Sequence, residues 1–184
     1  MARAGWDEYF LHMAEFIATR STCPTKQVGA IFVEPTSKFV LSMGYNGSPR
    51  GTKHCGKQCA SRKHGENTSA CRAVHAEANA IFSAAYNGVG LRGSDVYCTL
   101  GPCQDCAQAI IQVGAKRVVF LNDSAYPEVL QLLEEAGIIV EKFGGMVESA
   151  DTADLKFAIE RYTSSSLVTG TSLREMRLYE STLD

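Results

Sequence analysis

Two apolar helices predicted in this chain begin with residues that commonly bind metals. The segment "VHAEANAIFSAA" (74–85) places His75 and Glu77 at the start of one helix. The segment "LGPCQDCAQAII" (100–111) places Cys103 and Cys106 at the start of another. Glu77 alone would be explained by the helix dipole, and His75 alone by a hydrogen-bonded place in the core. Both pairs together indicate one metal site, which requires a fold that brings the two helix starts side by side.

The order of the predicted elements is that of an α/β protein. The 184 residues, 45% of them hydrophobic, predict one domain over residues 1–163 and a polar tail over residues 164–184. Apolar periodicity and turn-forming residues predict helix 6–20, a hairpin of "VGAIFVE" and "KFVLSMGY", helix 75–87, strand 95–100, helix 103–113, strand 117–121, helix 127–136, strand 138–143 and helix 149–162. Short β-α units in one sheet would set the two helix starts beside each other.

Charge and composition restrict the partners and the compartment. The formal net charge of -2 gives no general electrostatic reason to expect nucleic acid or an anionic membrane as a partner. No apolar run reaches the roughly 20 residues that span a bilayer, and "MARAGWDEYF" does not resemble a signal peptide. A cytoplasmic protein is therefore expected. The seven cysteines, an odd number, favour thiols and metal ligation over a disulfide framework.

The spacing of the cysteines and histidines predicts a zinc site with an open position. Cys103 and Cys106 are three residues apart and share a helix face, and no Cys or His follows Cys106. Further ligands must lie upstream, and His75 is the natural third ligand. Zinc sites with three protein ligands are typically catalytic, because the metal lowers the pKa of a water in the fourth position. Glu77, in the first helical turn, is then placed for general acid–base catalysis.

Several motifs resemble the zinc-dependent deoxycytidylate deaminases. H-x-E followed by P-C-x-x-C is the signature of zinc nucleobase deaminases, here His75-Ala76-Glu77 and Pro102-Cys103-Gln104-Asp105-Cys106. "GYNGSPRG", "HAEANAI" and "CTLGPCQDCAQAIIQVGAKRVVF" extend the resemblance across residues 6–143. It implies a cytidine-deaminase-like α/β/α fold with a five-stranded mixed sheet. It also implies hydrolysis of dCMP to dUMP and ammonia, supplying dUMP for dTMP synthesis, with zinc on His75, Cys103 and Cys106 and proton transfer by Glu77.

The resemblance also implies substrate contacts. Asn46 would contact the sugar, although Asn-Gly is equally a turn former that needs no ligand. Tyr126 follows the fourth strand, where this fold places substrate loops, but it could instead pack under the next helix. Weaker candidates for binding the substrate phosphate are Arg20, Arg50 and Lys53. These residues could equally be solvated surface residues.

Assembly and regulation are further implications of the resemblance. Members of the family are commonly homo-hexamers, activated by dCTP and inhibited by dTTP with magnesium. Ser83 and Tyr86, in the helix after His75, are candidates for the neighbourhood of the effector site. Ordinary helix packing is the preferred interpretation of both residues.

A second, structural zinc is predicted for the long loop within residues 44–70, which has no apolar periodicity. Some deoxycytidylate deaminases hold a second zinc with a cysteine before the first strand and residues of this loop. The matching set here is Cys23, Cys55, His64 and Cys71, with Cys59 as a competing fourth ligand. The alternative is a group of free loop thiols beside a surface histidine. Cys98 is expected to be an ordinary buried thiol.

Two other functions share part of this pattern. A tRNA adenosine deaminase also has HAE and PCxxC, but it needs a surface for an RNA loop, and the acidic balance and "GYNGSP" count against it. A zinc-stabilised binding module without turnover would need only a closed four-ligand site. Glu77 beside an open site disfavours that module.

Overall fold

The computed structural model describes residues 3–55, 71–123 and 127–144. Its helices and strands follow the predicted order closely, with every boundary within two residues of the prediction. They are α1 (Trp6–Ala18), β1 (Gly29–Val33), β2 (Val40–Tyr45), α2 (Ala76–Tyr86), β3 (Asp95–Leu100), α3 (Gln104–Gln112), β4 (Arg117–Asn122), α4 (Pro127–Glu135) and β5 (Ile139–Lys142). The predicted helix 149–162, the domain boundary at 163 and the tail lie outside the described residues and stay predictions.

The strands form a five-stranded mixed sheet in the order β2-β1-β3-β4-β5. β1 pairs antiparallel with β2, which confirms the predicted hairpin, and its other edge pairs antiparallel with β3. β3, β4 and β5 are parallel to one another. The two parallel connections contain α3 and α4, since a crossover between parallel strands needs a helix-length segment. The carboxyl ends of β3 and β4 therefore lie side by side at one edge of the sheet.

Helices cover both faces of the sheet, which confirms the predicted α/β/α layers. On one face α1 buries Phe10, Leu11 and Ala14 against alternate strand residues such as Ile31 and Tyr97. The other face carries α2, α3 and α4, whose small and apolar residues pack on the opposite alternation of the strands: Ala30, Phe32, Val96, Cys98, Val118 and Phe120. The period of two along each strand thus separates two apolar clusters.

Two glycines let the helices approach the strands closely. A Cβ atom at position 44 would lie 2.4 Å from the carbonyl oxygen of Ala76, and one at position 29 would lie 2.0 Å from the carbonyl oxygen of Ala14. Any side chain at Gly44 would push α2 away from β2. The buried Ser42 hydroxyl adds a hydrogen bond of 2.6 Å to the carbonyl oxygen of Ala80. These contacts position the start of α2, which carries His75.

None of the helices in the described ranges is both long enough and apolar enough to cross a membrane.

Candidate active site

The predicted metal ligands occupy equivalent places at the starts of two neighbouring helices. His75 is the N-cap of α2 and Cys103 is the N-cap of α3, and both have extended backbone conformations. Neither side chain caps its own helix, so both remain able to bind elsewhere. Cys106 lies one turn into α3 and is buried. The sheet therefore brings together residues from two separate β-α connections, as the sequence predicted.

The three side chains form a compact ligand cluster. His75 Nδ1 lies 3.2 Å from Cys103 Sγ and 3.5 Å from Cys106 Sγ. All three ligand atoms lie within 4.8 Å of one another, and no other such group of three or more occurs in the described ranges. In tetrahedral zinc, bond lengths of about 2.0 Å to nitrogen and 2.3 Å to sulfur place the two ligand atoms about 3.5 Å apart. One nitrogen and two sulfurs at these distances fit zinc.

Hydrogen bonds inside the cluster favour a thiolate. The Cys106 thiol and then the His75 ring donate to Cys103 and lower the pKa of Cys103 to about 3. The reciprocal bond and burial raise the pKa of Cys106. The hydrogen bond to Cys103 likewise raises the pKa of His75. The two cysteine sulfurs therefore share one proton. A divalent cation that binds both sulfurs would displace that proton.

Glu77 lies beside this cluster in a protected position. It is in the first turn of α2, two residues after His75, and is only 4% exposed. Burial raises the pKa of its carboxyl group, which favours the proton-bearing form. Cys106 is within hydrogen-bonding reach of the carboxyl group. A buried carboxyl group next to a metal-ligand cluster is well suited to accept and donate a proton.

A cavity of about 320 Å³ opens onto the cluster. His75, Glu77 and Cys103 line it, as does Asn46. The lining also includes three features that sequence reasoning missed: Lys26 before β1, the Leu100–Gly101 segment after β3, and Asp123 after β4. The Leu100–Gly101 segment and Asp123 could have been predicted from the sequence, because both follow parallel strands. α/β folds commonly bind ligands at the carboxyl ends of such strands.

Asn46 both lines the cavity and ties neighbouring loops together. Its Oδ1 accepts hydrogen bonds from the Ser21 hydroxyl (2.7 Å) and the Val28 amide (2.8 Å). Its Nδ2 donates to the carbonyl oxygen of Lys26 at 2.9 Å. An amide nitrogen has two hydrogens. Asn46 therefore has a structural role. Its bond to Lys26 uses one N–H of the amide group, and the group has a second N–H.

The other predicted substrate residues lie elsewhere or fall outside the described ranges. Tyr126 lies outside the described residues. Arg50 stacks over the Tyr86 ring at 5.4 Å from the ring centroid. None of the phosphate candidates Arg20, Arg50 and Lys53 lines the cavity at the metal cluster. Ser83 lines a separate cavity of about 200 Å³ between β2 and α2.

The predicted second zinc site is described only in part. Cys23 and Cys55 are half-buried and Cys71 is exposed, whereas His64 and the competing Cys59 lie outside the described residues. Cys23 Sγ lies 3.3 Å from the Thr25 hydroxyl. The four-ligand set therefore stays a prediction. Cys98 is fully buried in β3, and burial raises the pKa of its thiol well above the ordinary value.

Comparisons with known proteins agree with the geometry. The family model for the cytidine and deoxycytidylate deaminase zinc-binding region matches residues 4–122. ComE operon protein 2 of Bacillus subtilis is 37% identical over 143 residues, covering 77% of this chain and 73% of that protein. Deoxycytidylate deaminase of Homo sapiens is 37% identical over 147 residues, covering 75% of this chain and 79% of that protein.

The fold is similar to that of a solved deaminase. The crystal structure of dCMP deaminase from the cyanophage S-TIM5, in complex with dCMP and dUMP, matches with a TM-score of 0.65 and 29% identity. The match covers 78% of this chain and 100% of the phage enzyme's chain. With its family match extending over more than half of its length, and with a His-Cys-Cys cluster beside a buried glutamate, this chain belongs to the zinc-binding cytidine and deoxycytidylate deaminase family.

Proposed function

We propose that this protein is a zinc-dependent hydrolase that converts dCMP and water to dUMP and ammonia. The observation that carries the proposal is the buried Glu77 carboxyl group, which lines the same cavity as His75 and Cys103. The names of the relatives support the substrate, since one is a deoxycytidylate deaminase and the solved phage enzyme holds dCMP and dUMP. Family membership alone would leave cytidine as an alternative substrate.

His75, Cys103 and Cys106 would hold the zinc. When bound, zinc supplies Lewis acidity, which makes water nucleophilic near neutral pH. Glu77 takes a proton from the attacking water and delivers it to ring nitrogen 3 as the new C–O bond forms at carbon 4. Glu77 then takes the remaining proton from the new hydroxyl group on carbon 4 and passes it to the exocyclic amino group. The amino group leaves as ammonia when the C–N bond breaks and the carbon 4 carbonyl forms. Burial of Glu77 keeps bulk water from competing for these protons.

The sugar would be held by Asn46 at the wall of the cavity. The structural bonds of Asn46 to Val28, Ser21 and Lys26 fix the direction of its amide group. Its second N–H is then available to donate to a sugar hydroxyl. We propose this contact in addition to the turn-forming role of Asn46. A substrate contact by Tyr126 stays a prediction.

We also propose that the protein assembles as a homo-hexamer with regulation by dCTP and by dTTP with magnesium. The resemblance supports the effectors. Exposed apolar side chains support the assembly, since large exposed apolar patches commonly mark interfaces. Near the β2 edge of the sheet and on α2, Phe39 is 73% exposed, Met43 55%, Phe82 61% and Tyr86 79%. Such side chains would be buried by further copies of this chain.

The direct test is turnover by purified, zinc-loaded protein. Separate reactions contain dCMP, cytidine, dCTP or a tRNA anticodon stem, and release of ammonia and the ultraviolet change from cytosine to uracil are followed. We expect dCMP to be the preferred substrate. Preference for cytidine would change the proposed substrate and leave the chemistry intact, while inosine formation in the tRNA stem would favour the tRNA deaminase. Folded, zinc-loaded protein with no turnover at all would support the binding module.

A further inference from the structure

We propose that Lys26 pairs with the 5′-phosphate of the substrate and selects a nucleoside monophosphate over the free nucleoside. This inference rests on the proposed deamination of dCMP and assigns its phosphate contact. Lys26 lies in the loop between α1 and β1 and lines the cavity at the metal cluster. No motif singled it out, because it lies outside both the H-x-E and the P-C-x-x-C segments.

The charges around the cavity leave Lys26 as the available cation. Besides Lys26, the ionisable residues that line it are His75 and Cys103, which belong to the metal cluster, and Glu77 and Asp123, which are acidic. Asp123 forms an ion pair with Lys142. Among the ion pairs of the described residues, none involves Lys26. An ammonium group without a carboxylate partner is free to bind a phosphate as a compact point charge.

The depth of the lining residues matches the order of groups in a nucleotide. Glu77 is 4% exposed and Asn46 is 6% exposed, whereas Lys26 is exposed. A nucleotide whose base reaches Glu77 would pass Asn46 with its sugar and present its phosphate near the solvent. The hydrogen bond from Asn46 Nδ2 to the Lys26 carbonyl oxygen, at 2.9 Å, makes the sugar and phosphate positions neighbours.

The main chain of Lys26 is anchored although its side chain is exposed. The Ser21 hydroxyl also lies 3.4 Å from the Lys26 carbonyl oxygen, and two residues later the Val28 amide donates to Asn46 Oδ1. This fixes where the flexible lysine stem begins. The earlier candidates lack such a position, since Arg20, Arg50 and Lys53 do not line the cavity and Arg50 stacks on Tyr86.

The test compares dCMP with deoxycytidine as substrates, and dUMP with deoxyuridine as calorimetric ligands, in zinc-loaded protein. Lys26→Ala should lower kcat/KM for dCMP about 10- to 100-fold, mainly through KM, because a charge-assisted contact is lost. It should weaken dUMP binding similarly and change the deoxycytidine and deoxyuridine values less than about twofold. Lys26→Arg should retain most of the phosphate preference. The matched control is Lys116→Ala, an exposed lysine beside the amino end of β4, which should behave as wild type.

The outcomes separate this inference from the proposed function. A wild-type protein that deaminates neither dCMP nor deoxycytidine would overturn the proposed function itself. Wild-type turnover of dCMP with an unchanged phosphate preference in Lys26→Ala would overturn the role of Lys26 alone. Equal losses for dCMP and deoxycytidine would also overturn it, since they would show that Lys26 acts by shaping the loop.

Discussion

His75 Nδ1 lies 3.2 Å from Cys103 Sγ, although the two residues are 28 positions apart in the sequence. Each is the N-cap of its helix, so the contact joins the starts of α2 and α3 directly. Helix starts favour negative charge, which suits a thiolate at Cys103. The contact thus depends on two effects. The local effect is the position of each residue at a helix start, and the long-range effect is the placement of both helices on the same face of the sheet.

Glu77→Gln should keep the fold and the bound zinc but lose at least about 100-fold in kcat, because glutamine fills similar space and cannot carry the proton. Kinetics with dCMP and metal analysis of the same sample measure both effects. Glu134→Gln, at an exposed position of α4, is the control and should retain full activity. A near-native rate in Glu77→Gln would rule out the proton-transfer role.

His75→Ala and Cys103→Ser should lose the zinc of the catalytic cluster together with the activity, because each removes one of three clustered ligands. Metal content per chain, measured after gel filtration, distinguishes them from Glu77→Gln. Cys98→Ala is the control, since Cys98 is a buried thiol of β3 outside the cluster. Full zinc retention in His75→Ala would show that His75 is not a ligand.

Freshly purified protein should contain two zinc ions per chain if Cys23, Cys55, His64 and Cys71 form a structural site. Cys55→Ser should then contain one zinc ion, and its deamination should be impaired indirectly, because a structural zinc would order the loop that carries Asn46. Metal analysis beside kinetics measures both. A single zinc ion in fully active protein would contradict the second site.

Asp7→Asn should destabilise the protein at neutral pH by about 1 to 2 kcal/mol, allowing for partial exposure. Arg117 donates two hydrogen bonds of 2.8 Å to the Asp7 carboxylate and lowers its pKa below 3.8. A lowered carboxyl pKa contributes stability that is present above the unfolded-state pKa and is lost as the pH falls through the folded-state pKa.

The difference in unfolding free energy between wild type and Asp7→Asn should therefore be constant near pH 7 and shrink below about pH 4. Urea titrations at several pH values measure it, with Glu134→Gln as the control for removing an exposed carboxylate. A difference that is independent of pH down to about pH 2 would show that the Arg117 pair does not carry the effect.

Phe82→Glu should lower the oligomeric state of the protein, because Phe82 is 61% exposed on α2 and would be buried in the proposed hexamer. Light scattering coupled to gel filtration measures the mass. Ile139→Glu is the matched control, since Ile139 is similarly exposed, at 58%, but lies in β5 at the opposite edge of the sheet. A monomeric wild type would contradict the assembly.

Much of the fold could be predicted because its causes are local. Short β-rich apolar runs between turn-forming residues predicted the strands, and apolar residues at helical spacing predicted the helices. The metal cluster was equally accessible, since His75, Cys103 and Cys106 are ligand types at spacings that suit zinc. The strand order β2-β1-β3-β4-β5 could not be predicted from residue patterns, because it depends on pairings between distant segments, such as that of Ile31 in β1 with Tyr97 in β3.

The sequence by itself therefore determined the secondary structure, the three clustered ligands and the acid beside them, since these depend on residue type and short-range spacing. Tertiary structure decided how the loops complete the cavity. It buried Glu77 to 4% exposure and placed Lys26 in the lining while leaving Arg50 against Tyr86. The reason is physical: loop positions depend on long-range hydrogen bonds, such as that from Asn46 to the Lys26 carbonyl oxygen, which leave no periodic pattern in the sequence.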